Sequence, residues 1–308
     1  MADLIERARR FAGPYRVDNG KRFRLDDVDP GDRGDLTAED KPRAQEALQE
    51  GVRALAELQD RLYAQDRWAL LLVFQAIDAA GKDSVIKHVM SGINPQGCQV
   101  YSFKSPTSED LDHDYLWRCI KALPERGRIG IFNRSYYEEV VVVRVHRNLL
   151  EKQKVPPKLL KTKNLWKERC QDICNFESYL SRNGTVVRKF FLHVSRKEQE
   201  KRFRERLDTP SKNWKFSAAD LKEREHWREY QEAYEDMIRW TATPEAPWYV
   251  VPANHKWFTR VVVAAAIVDA LGGLNLTYPT ISAEQSREIA QAKRAIGGTT
   301  SRDDDADA

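Results

Sequence analysis

The sequence predicts an α/β fold in which helices cover both faces of a central five-stranded parallel sheet. Five short segments rich in Val, Ile, Leu and aromatic residues lack helical spacing, whereas the stretches between them repeat apolar residues at helical intervals. Strands that alternate with helices are typical of a parallel sheet, because each helical crossover returns the chain to the same edge. No composition break divides the 308 residues, so one core domain is expected.

The first element of that domain is a long helix preceded by an irregular arm. Residues 1–36 contain Gly and Pro turn signals and are predicted to form an N-terminal arm without regular structure. Thr37 and Asp40 then have the spacing of a helix-capping pair. Leucine and alanine residues at helical intervals predict a helix over 40–65 that packs on the sheet.

The remaining elements follow in alternation, and the core domain is expected to cover 37–280. The predicted strands cover 68–74, 98–104, 127–133, 186–194 and 247–252. After the helix that starts near Ser84, the predicted helices cover 108–122, 198–207, 218–241 and 260–271. The stretch 140–183 is predicted to hold more than one helix, with a Lys-rich bend at Pro156 and Pro157. Residues 281–308 are expected to form a C-terminal extension with a disordered end, since the tail from Gly297 holds four Asp, one Arg and almost nothing to bury.

The first predicted strand leads into a segment with the order of a phosphate-binding loop. The letters W-A-L-L-L-V-F predict a buried strand, Q-A-I-D-A-A-G predict a tight loop, and K-D-S-V-I-K begin a helix. Backbone N–H groups at such a loop and helix start face an anion. We therefore expect phosphate to be bound by Ala79, Ala80, Gly81, Lys82, Asp83, Ser84 and Lys87.

The loop departs from the pattern G-x-x-x-x-G-K-[ST] at two positions. Ala76 stands where the first Gly is usual, and Asp83 stands where the metal-binding Ser or Thr is usual. Phosphate would repel Asp78 inside the loop unless a divalent cation lies between them or the carboxylate accepts a hydrogen bond from a protonated group. Asp78 therefore indicates chemistry on phosphate. An ordinary strand-to-helix turn is the alternative interpretation.

A second polar segment follows the predicted strand 127–133. The letters G-R-I-G-I-F-N run directly into R-S-Y-Y-E. Ligands of parallel α/β sheets bind at the carboxyl ends of the strands. We therefore expect Asn133 and Arg134 to lie beside the loop that contains Asp78 and Lys82.

Composition limits the class of protein. Charged residues make up 32% and apolar residues 41% of the chain. No apolar run approaches the roughly 20 residues that cross a bilayer, and the first residues lack the apolar centre of a secretory signal. These features predict a cytoplasmic protein with no membrane partner. The four Cys form no C-x-x-C pair, so neither a disulfide framework nor a zinc site is expected.

Basic residues are clustered in two regions. Nine Lys or Arg lie from Arg144 to Arg169 with two acidic residues, and eleven lie from Arg196 to Arg228 with seven acidic residues. Such clusters indicate a polyanionic partner, although runs of charge are most often solvated helix faces. Nucleic acid is not expected as that partner, because the sequence has no recognised nucleic-acid motif and no basic strand with interleaved aromatic residues.

The chain resembles the family-2 polyphosphate kinases over roughly residues 12–280. Four segments in the same order carry the resemblance: Q-A-I-D-A-A-G-K-D-S, F-N-R-S-Y-Y-E with V-V-V-R-V downstream, K-R-F-x-x-R-L-D-x-P-x-K-x-W-K-F, and A-P-W-Y-V-V-P-A-N-x-K. The resemblance implies a P-loop kinase three-layer sandwich with a helical lid, here at about 196–228. It also implies Mg²⁺-dependent transfer of phosphate between inorganic polyphosphate and a nucleotide.

Position by position, the resemblance gives Asp78 and Lys82 the roles of loop carboxylate and lysine, and Arg134 that of the second-motif arginine. The second motif often begins with Asp in the family, whereas this chain has Asn133, with Glu138 five residues on. That form is similar to the class acting on both nucleoside mono- and diphosphates, which implies reversible conversion of AMP to ADP and ADP to ATP. Asp78 is the expected metal ligand, and the Asn makes position 133 a less certain one.

Phosphoryl transfer needs positioning and charge neutralisation more than covalent help from the protein. The expected catalytic residues are accordingly Asp78, Lys82, Asn133, Arg134 and Glu138. The expected nucleotide contacts come from Asn133, Arg134, Tyr137 and Glu138, with adenine and guanine nucleotides as partners. Lid cations are expected to follow the polyphosphate chain, and the candidates are Arg202, Arg206, Lys212 and Lys215. The family and the long amphipathic helices also imply a homo-oligomer, either a dimer or a tetramer.

Two other functions are compatible with parts of the pattern. An ATP-dependent nucleotide kinase of the same fold would be expected to carry the full G-x-x-x-x-G-K-[ST], which this chain lacks. A non-catalytic P-loop module could instead bind nucleic acid through the basic helices. An assay with polyphosphate as the only phosphate donor distinguishes the first alternative. The second would be favoured if Asp78→Asn kept binding and biological activity while Lys82→Ala abolished both.

Overall fold

The computed structural model describes residues 1–297, without the side chains of Lys215, Ala218, Ala219, Asp220 and Gly297. The predicted disorder at the chain end lies outside the described residues. Met1–Leu276 form one compact unit, and the second unit starts at Thr277, four residues before the predicted start of the extension. In the described part of the chain, no helix combines the length and the apolar character needed to cross a membrane.

Within residues 1–297 the sheet has six strands in the order β1-β6-β5-β2-β4-β3. They are β1 (Arg16–Val17), β2 (Ala69–Gln75), β3 (Cys98–Ser102), β4 (Ile129–Asn133), β5 (Thr185–His193) and β6 (Trp248–Pro252). Strands β2 to β6 pair in parallel, as predicted, whereas β1 pairs antiparallel with β6. The predicted strand count of five was therefore too low by one, because two residues are too short to show a strand pattern.

Most helices of the described residues lie between consecutive strands along the chain, as the alternation predicted. The α-helices of the described residues are α1 (Ala2–Ala12), α2 (Lys41–Gln65), α3 (Lys82–Val89), α4 (Ser108–Leu111), α5 (Trp117–Ile120), α6 (Val142–Val145), α7 (Asn148–Glu151), α8 (Pro157–Leu160), α9 (Leu165–Arg182), α10 (Arg196–Leu207), α11 (Ala218–Glu223), α12 (Trp227–Thr241), α13 (Lys256–Gly272) and α14 (Ala283–Gly297). Short 3₁₀ segments cover Gly13–Tyr15, Leu25–Asp27, Pro95–Gly97, Tyr136–Glu139, Pro210–Lys215 and Arg224–His226.

The prediction that residues 1–36 lack regular structure was wrong at the N-terminus. Helix α1 buries Ala8 and Ala12, and the Phe11 ring lies 5.6 Å from the Phe258 ring of α13. The Gly and Pro signals that suggested an irregular arm come after this helix. The first segment is therefore an amphipathic helix packed on the core.

Two predicted helices are divided in the structure. The segment 108–122 holds the short α4 and α5, and the segment 218–241 holds α11, the 3₁₀ segment Arg224–His226 and α12. Thr107 caps α4, and its hydroxyl accepts a hydrogen bond from the Asp110 N–H. The segment 140–183 holds α6, α7 and α8 before α9, and the predicted bend at Pro156 and Pro157 separates α7 from α8, because proline lacks the N–H that a continuing helix needs. Helical spacing alone did not reveal the breaks within 108–122 and 218–241.

The centre of the sheet places the carboxyl ends of two strands side by side. Strand β2 is fully buried and lies between β5 and β4. In the parallel β2–β4 pair, Phe74 stands opposite Asn133. The loop after β2 and the segment after β4 therefore start next to each other, where ligands of parallel α/β sheets bind.

Candidate active site

The loop after β2 turns sharply to start α3. Ala79 and Gly81 have positive φ angles, 62° and 109°. The Gly81 carbonyl accepts the first helical hydrogen bond, from the Val85 N–H at 3.0 Å. Glycine adopts this left-handed backbone without strain, whereas alanine does so at a cost of about 1–2 kcal/mol. The loop thus presents backbone N–H groups and a helix start to the carboxyl edge of the sheet.

The segment after β4 reaches back to that loop. Arg134 also has a positive φ, 65°, and its N–H donates to the Phe74 carbonyl at 3.0 Å. Its guanidinium donates to Asp78 Oδ1 at 2.7 Å and to Glu138 Oε2 at 3.4 Å. The structure therefore brings Asp78, Arg134 and Glu138, all predicted site residues, into one charged cluster.

Lys82 lies next to this cluster and is buried. Its Nζ donates to the Ala76 carbonyl at 2.7 Å. Burial, reinforced by the positive charge of Arg134, lowers the pKa of Lys82 from 10.5 to about 8, while Asp78 and Glu138 act in the opposite direction. The ammonium is therefore poorly solvated, and nearby carboxylates stabilise its charge only in part. A bound phosphate would stabilise that charge further.

Glu138 accepts from Nη1 of Arg134, whereas Asp78 accepts from Nη2. Burial raises the pKa of the Glu138 carboxyl, and the charges of Arg134 and Lys82 oppose that rise. The Gln75 side-chain amide donates to Glu138 Oε1 at 2.8 Å when oriented so that its oxygen accepts from Ser135. In return, Glu138 is the largest cause of the raised pKa of Arg134. The cluster is thus a coupled set of charges supported by neutral hydrogen bonds.

Other predicted phosphate residues lie around the start of α3. Asn133 Nδ2 donates to Asp83 Oδ1 at 2.7 Å, which joins the end of β4 to the loop. The Ser84 hydroxyl accepts from Arg260 Nη2 at 3.0 Å. Lys87 is exposed one turn further along the helix.

Tyr137 does not line this site. Its side chain is fully buried, and its hydroxyl donates to Glu177 Oε1 at 2.8 Å and accepts from Lys189 Nζ at 3.0 Å. Lys189 is also buried, and its Nζ lies 2.6 Å from Glu177 Oε2. The predicted contact of Tyr137 with a nucleotide is therefore corrected: the ring belongs to a buried polar network beneath the site.

The residues of the predicted lid differ in position. Arg202 is buried rather than facing solvent, and it donates to the loop carbonyls of Ala79 and Ala80. Its predicted role as a direct polyphosphate ligand does not fit this position. Arg206, one turn on, lies partly exposed over the Phe203 ring, and Lys212 is exposed. The side chain of Lys215 lies outside the described residues.

Some residues of the site were not identified from the sequence. Gln75 opens the predicted loop and is given no role there, although a polar residue directly after a fully buried run is a signal for a role at the sheet edge. Gln199 Nε2 donates to the Asp78 carbonyl at 2.9 Å, and Arg224 Nη1 donates to Gln199 Oε1 at 3.0 Å. No sequence pattern indicates these contacts, because their partners are far apart along the chain.

The oxygen ligands at the loop are few for a magnesium ion held by protein alone. Among the described residues, no group of three His, Cys, Asp or Glu side chains could hold a metal ion. Mg²⁺ commonly binds proteins through one or two carboxylates together with substrate phosphates. Asp78 offers one partly exposed carboxylate directly beside the phosphate-binding loop. The site therefore fits a magnesium ion that is shared with phosphate.

Comparisons with known proteins agree with this geometry. A family model described as Polyphosphate kinase 2 (PPK2) matches residues 38–277. The chain is 48% identical over 282 residues to an ADP-polyphosphate phosphotransferase of Rhodopseudomonas palustris, covering 90% of this chain and 98% of the relative. It is 45% identical over 265 residues to an AMP/ADP-polyphosphate phosphotransferase of Meiothermus ruber, covering 86% and 94%.

A solved structure gives the same result for the fold. The crystal structure of polyphosphate kinase 2 from Arthrobacter aurescens TC1 superimposes with a TM-score of 0.82 at 39% identity, over 92% of this chain and 96% of that one. The predicted three-layer P-loop kinase fold is thereby confirmed. The chain belongs to the polyphosphate kinase 2 family, whose members are polyphosphate:nucleotide phosphotransferases.

Proposed function

We propose that this enzyme moves the terminal phosphate of inorganic polyphosphate to AMP and to ADP, reversibly and with Mg²⁺. The observation that carries the proposal is the hydrogen-bonded cluster of Asp78, Arg134 and Glu138 beside Lys82 and the loop amides. One relative is named for ADP and another for AMP and ADP, which supports both acceptors. At this site, Arg134 and Lys82 supply positive charge where two phosphate groups must approach each other.

The protein has two tasks in such a reaction. It must hold donor and acceptor phosphates in line, and it must neutralise the charge on the group that moves. Lys82 and the N–H groups of the loop hold the donor phosphate. Arg134, anchored between Asp78 and Glu138, is positioned to neutralise charge near the transferring group. The attacking atom is an anionic phosphate oxygen, so the reaction needs no strong general base.

Asp78 is the residue that would hold Mg²⁺, and the ion, when bound, neutralises phosphate charge. The same carboxylate accepts the 2.7 Å hydrogen bond from Arg134, which fixes its direction. Glu138 and Asn133 are assigned to the acceptor side of the site. Lys87, Arg206 and Lys212 remain candidates for polyphosphate contacts, and Arg206 and Lys212 lie on the lid.

Several finer features remain predictions. They are the use of guanine as well as adenine nucleotides, a homo-oligomeric state and a cytoplasmic location. The absence of nucleic-acid partners is a prediction of the same kind. None of them is required by the charged cluster.

The proposal is tested by giving the purified enzyme polyphosphate as its only phosphate donor. AMP, ADP, GMP and GDP are supplied separately with Mg²⁺, and products are quantified by chromatography. We expect ADP and ATP from AMP, ATP from ADP, and phosphate return to polyphosphate when ATP is in excess. Transfer from ATP but never from polyphosphate would support the ATP-dependent kinase instead.

A further inference from the structure

Side chains of α10 donate hydrogen bonds to the carbonyl groups of the phosphate-binding loop. The Asp78 carbonyl accepts from Gln199 Nε2 at 2.9 Å, and the Ala79 and Ala80 carbonyls accept from Arg202 Nη1 at 3.2 and 2.6 Å. Three consecutive peptide oxygens therefore face α10. Gln199 and Arg202 are three residues apart, so they project from the same face of that helix. Both side chains are buried.

Arg202 uses all of its hydrogen-bonding capacity in this arrangement. A guanidinium has five N–H donors. Besides the two loop carbonyls, Arg202 donates to the Glu198 carboxylate at 2.9 Å, to the Ala253 carbonyl and to the Asn254 carbonyl at 3.3 Å. These five acceptors leave no donor for a phosphate. Arg202 therefore joins α10, the loop and the segment after β6 instead of binding substrate.

The orientation of the carbonyls determines where the amides point. In a trans peptide the C=O and the N–H of the same unit point in opposite directions. Because the Asp78 and Ala80 carbonyls face α10, the N–H groups of Ala79 and Gly81 face away from it. Ala79 also holds a left-handed backbone, φ 62°, that alanine rarely adopts. Such a conformation persists only where its surroundings fix it.

Arg224, a residue of the predicted lid, orients the side chain of Gln199. Arg224 Nη1 donates to Gln199 Oε1 at 3.0 Å, which turns the amide nitrogen toward the Asp78 carbonyl. Arg224 also reaches Glu200 Oε2 at 3.4 Å. The side-chain amide of Gln199 thus connects the 3₁₀ segment Arg224–His226 to Asp78, whose carboxylate is the expected metal ligand.

We propose that Gln199 and Arg202 are positioning residues of phosphoryl transfer, which fix the loop carbonyls so that its amides and Asp78 face the phosphates. The proposal rests on the proposed function and adds residues that act through the backbone. A misplacement of about 1 Å in such groups can lower turnover about 100-fold. The effect should therefore appear mainly in kcat.

The test compares Gln199→Met, Arg202→Lys and Arg202→Gln with the wild type. Arg228→Gln is the matched control, because Arg228 is exposed on α12 and pairs only locally with Glu232. Turnover with polyphosphate, the KM for the nucleotide and the thermal unfolding midpoint are measured. Binding of inorganic tripolyphosphate by calorimetry provides a readout that needs no turnover.

Both Arg202 variants are expected to lose at least about 30-fold in kcat, because one lysine ammonium cannot span four carbonyls. Gln199→Met should lose about 10-fold in kcat, bind tripolyphosphate more weakly and keep its nucleotide KM within about twofold. The control should match the wild type. Since Met conserves much of the volume of Gln, this variant keeps the test valid if the Arg202 variants do not fold.

Two results would overturn the proposal. Arg202→Lys with near wild-type turnover, together with a raised polyphosphate KM in Arg202→Gln, would make Arg202 a substrate ligand. Folded Gln199→Met with wild-type kcat and tripolyphosphate affinity would make these contacts merely structural. If the wild type transfers no phosphate, the proposed function fails, while tripolyphosphate binding still decides whether these residues position the loop.

Discussion

The buried Lys82 makes a specific prediction about pH. Its pKa is lowered from 10.5 to about 8, mainly by burial and next by the charge of Arg134. Each pKa unit corresponds to about 1.4 kcal/mol, so the protonated side chain is destabilised by about 3 kcal/mol in the folded protein. A bound polyphosphate should recover much of this energy, because its charge favours the ammonium form. Donor binding should therefore require Lys82 to be protonated.

The assay is the pH profile of kcat/KM for polyphosphate from about pH 6.5 to about pH 9.5, which reports the pKa values of the free enzyme. We expect kcat/KM to fall about tenfold per pH unit above about pH 8. At saturating polyphosphate, kcat should hold to higher pH, since the bound anion raises the pKa of Lys82. Lys82→Arg should be less active than the wild type, but its kcat/KM should not decrease above about pH 8, because the guanidinium stays charged. The same decrease in the wild type and in Lys82→Arg, or no decrease in either, would refute the reasoning.

The same shift predicts a stability change with a definite sign. The folded pKa of Lys82 lies below its unfolded value, so the unfolded chain binds more protons between about pH 8 and 10.5 and stability rises with pH in that window. Lys82→Met should then be more stable than the wild type at pH 7. We expect a gain of about 2 kcal/mol, from about 3 kcal/mol of relieved burial less about 1 kcal/mol for the unpaired Ala76 carbonyl. Urea unfolding measures it, and a destabilised Lys82→Met would contradict it.

Three further substitutions test other parts of the structure. Lys189→Met should lower the free energy of unfolding by about 3–5 kcal/mol in urea titrations, because Glu177 would stay buried without its cation; an unchanged midpoint would contradict the buried pair. Gly81→Ala should cost about 1–2 kcal/mol of stability and reduce turnover, since alanine is strained at φ 109°, and wild-type turnover would show that the loop backbone is not critical. Asp78→Asn should keep a hydrogen bond to Arg134 but raise the Mg²⁺ concentration needed for half-maximal rate, and an unchanged Mg²⁺ requirement would move the metal ligand elsewhere.

Local signals were enough to predict the parallel sheet and the proximity of the segments that hold Asp78 and Arg134. Strand β2 is a continuous apolar run that ends in a loop of small residues, and β4 ends directly before Arg134. Parallel strands end at the same edge, so the sequence placed Asp78 near Arg134 without knowledge of the register. The observed pairing of Phe74 with Asn133 then brings the two segments together.

The residues whose roles were predicted wrongly are held in place by contacts with distant parts of the chain. Tyr137 lies within the second motif and was assigned to a nucleotide, but Glu177 and Lys189 hold its hydroxyl in the core. Arg202 has the spacing of a solvated lid cation, yet its partners lie more than 120 residues earlier and about 50 residues later in the chain. Charge and spacing cannot reveal such partners, because an arginine that binds carbonyls and one that binds phosphate look alike in a sequence.

Phosphorus-31 NMR of the purified enzyme with Mg²⁺, AMP and long-chain polyphosphate, with no ATP added, tests the proposed reaction most directly. We expect ADP and then ATP signals to rise as the polyphosphate signal falls, with one phosphate lost from the polymer for each one gained by a nucleotide. Arg134→Gln, which removes the charge between Asp78 and Glu138, should abolish the conversion. Polyphosphate that stays intact beside AMP and ADP, at any Mg²⁺ concentration, would contradict the proposed phosphotransfer.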